Sequence, residues 1–210
     1  MLSLLEKAEV LSTDQIHLLF FRSVSIRMAQ KRLLKLVEGK RIKRNRLSID
    51  EPYFYYLDKR PGQVEHRLGV NWVYVWRRIH LHGWEKLHSF EWEVTFKKLR
   101  ADALLAVRNL AHNSFDFTFI EFDIVGSGNP FDKVSKYNEL YESGEWLHTW
   151  WGEQATGFPR ILIVTTGRVD RIQAMLKDNR NNLEFVIRGF EQIKEECTHG
   201  SSRSASIWSI

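Results

Sequence analysis

Residues 23–57 read SVSIRMAQKRLLKLVEGKRIKRNRLSIDEPYFYYL: an amphipathic segment, a glycine stop, a run of alternating cations and a tyrosine-rich return. In the amphipathic part Ile26, Ala29, Leu33 and Val37 recur at the spacing of one buried helical face, and Arg27, Gln30, Lys31 and Lys35 fall opposite. Ser25 stands where a helix cap is wanted and Gly39 supplies the stop. Two strand-like runs follow, 41–48 and 53–57, separated by IDEP, whose Pro52 ends the turn. In the first run Ile42 and Leu47 are expected to face inward, while Lys43, Arg44 and Arg46 project.

The cations of this stretch set it apart from the remainder of the chain. Between Arg22 and Arg46 ten Lys/Arg stand against one acid, Glu38, a local net charge of +9 in a chain that carries +5 overall. Residues 1–60 hold thirteen Lys/Arg and seven Asp/Glu, net +6, whereas residues 61–210 hold eighteen and nineteen, net −1. An excess concentrated in one supersecondary element is the electrostatic footprint expected for a polyanion. It predicts a basic N-terminal module, residues 1–60, joined through the turn residues DKRPGQ to a near-neutral body, residues 64–198.

Upstream, Leu2, Leu5 and Val10 outline a short helix, and Ser12 or Thr13 can cap a second, TDQIHLLFF. Helix, helix, helix, hairpin is the order of the winged helix-turn-helix, in which the third helix enters the major groove and the hairpin lies along the adjacent backbone. The candidate contacts to double-stranded DNA are then Ser25, Arg27, Gln30, Lys31, Arg32 and Lys35 on the helix, with Lys40, Arg41, Lys43, Arg44 and Arg46 on the wing. Such binding needs no cofactor. The plainer alternative is a solvated basic face. A homodimer on two half-sites is compatible with the unit, although no heptad seam is visible to provide one.

The body reads as α/β. A helix over 66–82 carries Leu68, Trp72, Val75, Trp76 and Ile79 at helical spacing, and strands are predicted at 90–96, 102–108 and 116–125. The last of these, DFTFIEFDIV, is apolar on both alternating faces, the pattern of a central strand covered on both sides. GSGNP makes a turn, and a helix over 131–141, a strand over 160–165, a helix over 170–179 and a strand over 183–187 complete a mixed sheet. The serine-rich stretch 199–210 is expected to be disordered. A hydrophobic content of 43% with 27% charged residues excludes wholesale disorder, and the eight tryptophans read first as core. No run approaches the roughly 18 apolar residues of a membrane span, and no signal pattern opens the chain. The expectation is a cytoplasmic protein without membrane partners. The single Cys197 excludes an internal disulfide and a cysteine-rich zinc cluster.

Chemistry concentrates in the central strand. Glu121 and Asp123 are two apart, so both leave one face of the sheet near the end of the strand, where like charges need a compensating cation. Magnesium is one answer, with Asp102 of the preceding strand completing the site and Lys133 or Lys136 reaching back from the following helix. The alternative is solvation, or ion pairing with Lys133 or Arg168. His80, His82 and His88 lack cysteine or carboxylate partners at zinc-ligand spacing. GSGNP lacks a dinucleotide or Walker fingerprint, and serine and cysteine nucleophile signatures are absent.

The stretches LSTDQIHLLFF, SIRMAQKRLLKLVEGKRIKR, YFYYL, HRLGVN, RADAL, FIEFD, KVSKY and PRILIVTT, in this order over most of the chain, resemble the plasmid replication-relaxation proteins of mobile elements in Gram-positive bacteria. That resemblance implies a winged helix-turn-helix followed by a domain like the restriction-endonuclease fold. It puts Asp102 in the place of the first metal-binding aspartate and Glu121 in the place of the second acid. Asp123 departs from the pattern, which has a lysine there, and Ala101 replaces the customary proline. The candidate catalytic residues are therefore Glu121, Asp123 and Lys133, and the candidate metal ligands Asp102 and Glu121. The first expectation is a DNA-binding accessory or regulatory protein of plasmid or mobile-element replication or transfer, working with replication or transfer proteins. The alternative is a magnesium-dependent endonuclease or nicking enzyme addressed by the same helix, and a third reading is a module for protein contact alone.

Overall fold

A computed structural model describes residues 1–199 other than Asn129. The N-terminal part runs α1 (Leu2–Ala8), β1 (Leu11–Ser12), α2 (Thr13–Phe20), α3 (Ile26–Glu38), β2 (Lys43–Asn45) and β3 (Phe54–Tyr56), and its three strands form an antiparallel sheet in the order β1-β3-β2. Ser12 starts α2 with a reciprocal capping box: its hydroxyl accepts from Gln15 N at 3.2 Å, and Gln15 Oε1 accepts from Ser12 N at 2.9 Å. Two helix donors left over at the N-terminus are satisfied in this way. Ala29 and Leu33 fix α3, with Leu33 packed into a small core with Leu5, Leu11, Ile16, Ile42 and Tyr55.

Several local expectations are corrected. Ile26 is 38% exposed, because it opens α3 at the edge of the packed face. Leu47 is 39% exposed. Its strand ends at Asn45, where Arg46 N turns to the Asn45 side-chain oxygen at 2.8 Å, so the inward-outward alternation stops before it reaches Leu47. Ser25 occupies the cap position of α3 without a side-chain capping bond. Gly39 ends α3 with φ of −76°, and the left-handed residue of the turn is Lys40, at φ 55°. The strand β1, two residues long, carries too little periodicity to be read in advance.

The body consists of α4 (Val64–Ile79), β4 (Glu85–Phe96), β5 (Leu99–Asn109), β6 (Ser114–Asp123), α5 (Val134–Ser143), β7 (Arg160–Thr165), α6 (Val169–Met175), β8 (Phe185–Gly189) and α7 (Phe190–His199). Its sheet is mixed, in the order β4-β5-β6-β7-β8, antiparallel from β4 to β6 and parallel from β6 to β8. The central strand is β6, as its two apolar faces predict. Phe117 and Phe119 enter one core with Tyr137, Trp151 and Ile161, and Ile120 and Phe122 enter the other with Val73, Trp76 and Ile193. The expected strand at 160–165 is β7. The hairpin β4–β5 extends well beyond the expected 90–96 and 102–108, so Asp102 lies inside β5 rather than at its start. Helix α7 is an addition, held through Phe190, Ile193 and Cys197, an i, i+3, i+7 set that the sequence reading passed over. Beyond the end of α7, the expected disordered tail lies outside the described residues. No described helix is long and apolar enough to cross a membrane.

Helix α4 packs on the sheet and on the N-terminal part at once. Asn71, fully buried, donates to the carbonyls of Ala8 at 3.2 Å and Val10 at 2.5 Å and accepts from Trp92 Nε1 at 2.7 Å. Gln15 Nε2 donates to Leu68 O at 2.8 Å. Residues 58–63 therefore join two parts that share buried polar bonds, which are expensive to leave unmade. Helix α4 meets β6 without room for a side chain at Gly69, where an added Cβ would stand 2.1 Å from the Phe122 ring. At Gly69→Ala overpacking should cost about 1–3 kcal/mol against the ~1 kcal/mol that alanine returns in helix propensity, a net loss of up to about 2 kcal/mol. The reading is a lower midpoint in urea unfolding at unchanged slope.

Candidate nucleic-acid interface and acid cluster

The cations of residues 27–46 stand on the surface. Arg27, Gln30, Lys31, Arg32 and Lys35 on α3, and Lys40, Arg41, Lys43 and Arg44 beyond it, are all exposed, as is Ser25. Among the described residues none of these cations, nor Arg46, forms an ion pair. In the body Arg67, Arg77, Arg100, Lys133, Arg168 and Arg180 form ion pairs, and exposed cations without one among the described residues, such as Lys98, Arg171 and Lys177, are spread over separate elements and not gathered on one. The wing cations are placed by aromatic and backbone contacts. The guanidinium groups of Arg44 and Arg46 lie 4.3 and 3.7 Å from the Tyr53 ring centre, Arg46 Nη1 donates to Ile49 O at 3.0 Å, and Lys43 Nζ donates to Asp58 O at 2.5 Å. On α3, Arg32 lies over Phe21 at 5.3 Å. Met28 and Leu34, 44% and 38% exposed, flank Lys31 on the outer face and were not singled out by sequence reasoning. Their signal was available in a full helical projection, in which both fall outside the arc of Ala29 and Leu33.

The second constellation lies at the floor of a cleft of about 1020 Å³ between the β2–β3 hairpin, the start of α4 and the end of β6. Leu47, His66, Asp102, Glu121, Lys133 and Lys136 are among its walls. The Asp102 carboxylate accepts from Phe122 N at 2.8 Å and lies 3.1 Å from His66 Nε2. Glu121, 2% exposed, accepts from Tyr137 OH at 2.7 Å and from Lys133 Nζ at 2.5 Å. The same ammonium donates to Arg100 O at 2.7 Å and lies 3.8 Å from Asp102 Oδ1. Burial, followed by the Asp102 charge, pushes the Glu121 carboxyl up to about 8, against the lowering effect of Lys133 and Tyr137. Burial acts in the same direction on Asp102, but the His66 hydrogen bond, Lys133 and the Phe122 N–H outweigh it and hold that carboxyl below its ordinary value. Tyr137 is raised well above the usual phenol range by burial and by Glu121. Two acids and one ammonium thus form a neutral cluster when they share a single proton.

Asp123 belongs to a different network. It accepts from Phe131 N at 2.9 Å, Thr165 Oγ1 at 2.9 Å and Arg168 Nη1 at 3.1 Å, and so ties the loop after β6 to the turn after β7. The ion-paired alternative for the acids is what the geometry realises: Glu121 with Lys133, Asp123 with Arg168. The structure brings Asp102, Glu121 and Lys133 together and leaves Asp123 facing the β7 turn. Sequence reasoning missed His66 and Tyr137. Tyr137 was within reach, since it follows Lys133 by four residues and shares its helical face. His66 meets Asp102 only through the packing of α4, which no local spacing announces. His80 closes the end of α4, and His82 lies beyond it, stacked on Trp84 at 4.7 Å.

Magnesium, implied by the nuclease-like reading, binds oxygens in near-octahedral geometry at about 2.0–2.1 Å and keeps several waters. Between Asp102 and Glu121 that space is held by the Lys133 ammonium. As they stand, these side chains suit an ammonium and not a divalent ion. No family model, curated protein or solved structure matches the chain.

Proposed function

We propose that the chain is a sequence-specific double-stranded DNA-binding protein, an accessory or regulatory factor of plasmid or mobile-element replication or transfer. In this reading its N-terminal part is a winged helix-turn-helix and its body is nuclease-like in fold. One observation carries the proposal: the cations of α3 and the hairpin are gathered on one helix and one hairpin, all exposed but the half-buried Arg46, and none has a carboxylate partner among the described residues. Exposed, uncompensated Lys and Arg on one helix and one adjacent hairpin are what a phosphate backbone neutralises. Arg27, Lys31 and Lys35 share the outer face of α3 with Met28 and Leu34, which suit the edges and thymine methyls of the major groove. The test is a salt titration of the full chain on a duplex chosen from a random pool. The expected slope of log K against log salt is steeper than about −4, corresponding to at least four or five phosphates. Absence of any retardation at low salt would leave the unit a protein-contact module.

A second reading, a magnesium-dependent nicking endonuclease with the same address, has in its favour the meeting of Asp102, Glu121 and Lys133 in a cleft bordered by Leu47 of the hairpin, and against it the Lys133 ammonium between the two acids, which a metal would have to displace. Supercoiled plasmid incubated with magnesium or manganese separates the two. Nicking by the wild-type chain that Glu121→Ala removes supports the enzyme, and equal or absent nicking leaves the binding role.

A further inference from the structure

We infer that Lys133 is the resident cation of the Asp102–Glu121 pair, standing where a divalent ion would have to sit and clamping β5, β6 and the start of α5 at the floor of the cleft. This assignment does not depend on whether the chain binds DNA. An ammonium is a compact charge with three donors. Here it meets Glu121 Oε2 at 2.5 Å, Arg100 O at 2.7 Å and, at the longer distance of 3.8 Å, Asp102 Oδ1. The other two carboxylate oxygens are taken as well: Asp102 Oδ2 by Phe122 N and His66, and Glu121 Oε1 by Tyr137 OH. Three of the four oxygens therefore have hydrogen-bond partners, the fourth, Asp102 Oδ1, faces the ammonium at 3.8 Å, and a metal would have to displace the lysine to bridge the pair.

The fold also delivers the lysine. Lys133 stands immediately before α5, and Tyr137, one turn on, reaches the same Glu121, so the start of the helix is bonded twice to one carboxyl. The loop that leads there is held at Phe131 N by Asp123, itself anchored by Thr165 and Arg168. Asp123 stands two residues after Glu121, and its bond to the loop brings in from the helix the cation that the strand does not supply. A buried carboxyl left without its matched ammonium is an uncompensated charge, so removing half of the pair is costly.

The experiment uses the full-length chain and Mn2+ as the probe, followed by calorimetric titration and thermal unfolding. Wild type should show no saturable Mn2+ binding and no change in midpoint. Lys133→Met should lower the midpoint and gain one Mn2+ site, with a rise of about 5–10 °C at a hundredfold excess over Kd. Adding Glu121→Gln to Lys133→Met should abolish that site and recover part of the lost midpoint. Wild-type Mn2+ binding that Glu121→Gln removes would overturn the assignment, as would a folded Lys133→Met chain that takes up no Mn2+. Should Lys133→Met fail to fold, the double variant decides: a double variant that unfolds cooperatively supports the clamp, and one that also fails to fold overturns it.

Discussion

Replacing Arg27, Lys31 and Lys35 together by glutamine should weaken duplex binding at least about a hundredfold, since a side chain reading a base edge contributes about 1–3 kcal/mol. The salt slope should fall by about 0.9 for each of the three that neutralises a phosphate. All three residues lie on the outer face of α3, exposed, while Ala29 and Leu33 hold the helix down from the opposite side. Their replacement should therefore leave the unfolding free energy within about 0.5 kcal/mol of wild type. A charge-matched control is available in Lys98, Arg171 and Lys177, three exposed cations of the body. If binding depends on the surface of α3, the control loses little. Equal losses in both variants would mean that net charge alone attracts the duplex, and the proposed interface would fall.

The two regions differ in how far the sequence exposes them. Helix α3 was legible because one element carries its own period, with Ala29 and Leu33 on one side and the cations on the other. Strand β6 was legible for the same kind of reason: Phe117, Phe119, Ile120 and Phe122 fill both faces, so burial on both sides follows from the pattern alone. The acid cluster depends on pairings between elements. That Asp102 comes to lie beside Glu121 is set by the register of β5 on β6; the strand order let Asp102 be named as completing the site, but no local pattern fixes that register. Near Asp102 the strand also changes face, since Ala101 and Ala103 enter opposite cores, and the partnering strand carries Glu93 at φ 55° in the same region. An irregularity of this kind re-aims a side chain and leaves no mark in a period-two pattern. Lys133 was named as a residue that could reach back, but whether it would meet a metal, a carboxylate or solvent rested on the loop that Asp123 holds.

The protonation of the cluster has a measurable consequence. Glu121 titrates near 4.5 when solvated and near 8 in the fold, because burial and the neighbouring Asp102 charge oppose its ionisation more than Lys133 and Tyr137 favour it. A raised folded-state value means that the native chain binds this proton more tightly than the unfolded one. Its stabilising contribution is therefore complete below about 4.5 and is lost as the pH rises through about 8. The slope should approach 1.4 kcal/mol per pH unit, roughly the limit for one proton. Asp102 acts in a separate window: its lowered value gives stability that is present above 3.8 and lost only in acid. Urea unfolding between pH 5 and 9 should thus show wild type weakening with rising pH, and Glu121→Gln should flatten that decline. Other titrating groups are common to both chains, so the difference between the two curves isolates Glu121. Parallel curves would mean that Glu121 is ionised throughout this range, with the Lys133 ammonium balancing its charge without help from a proton.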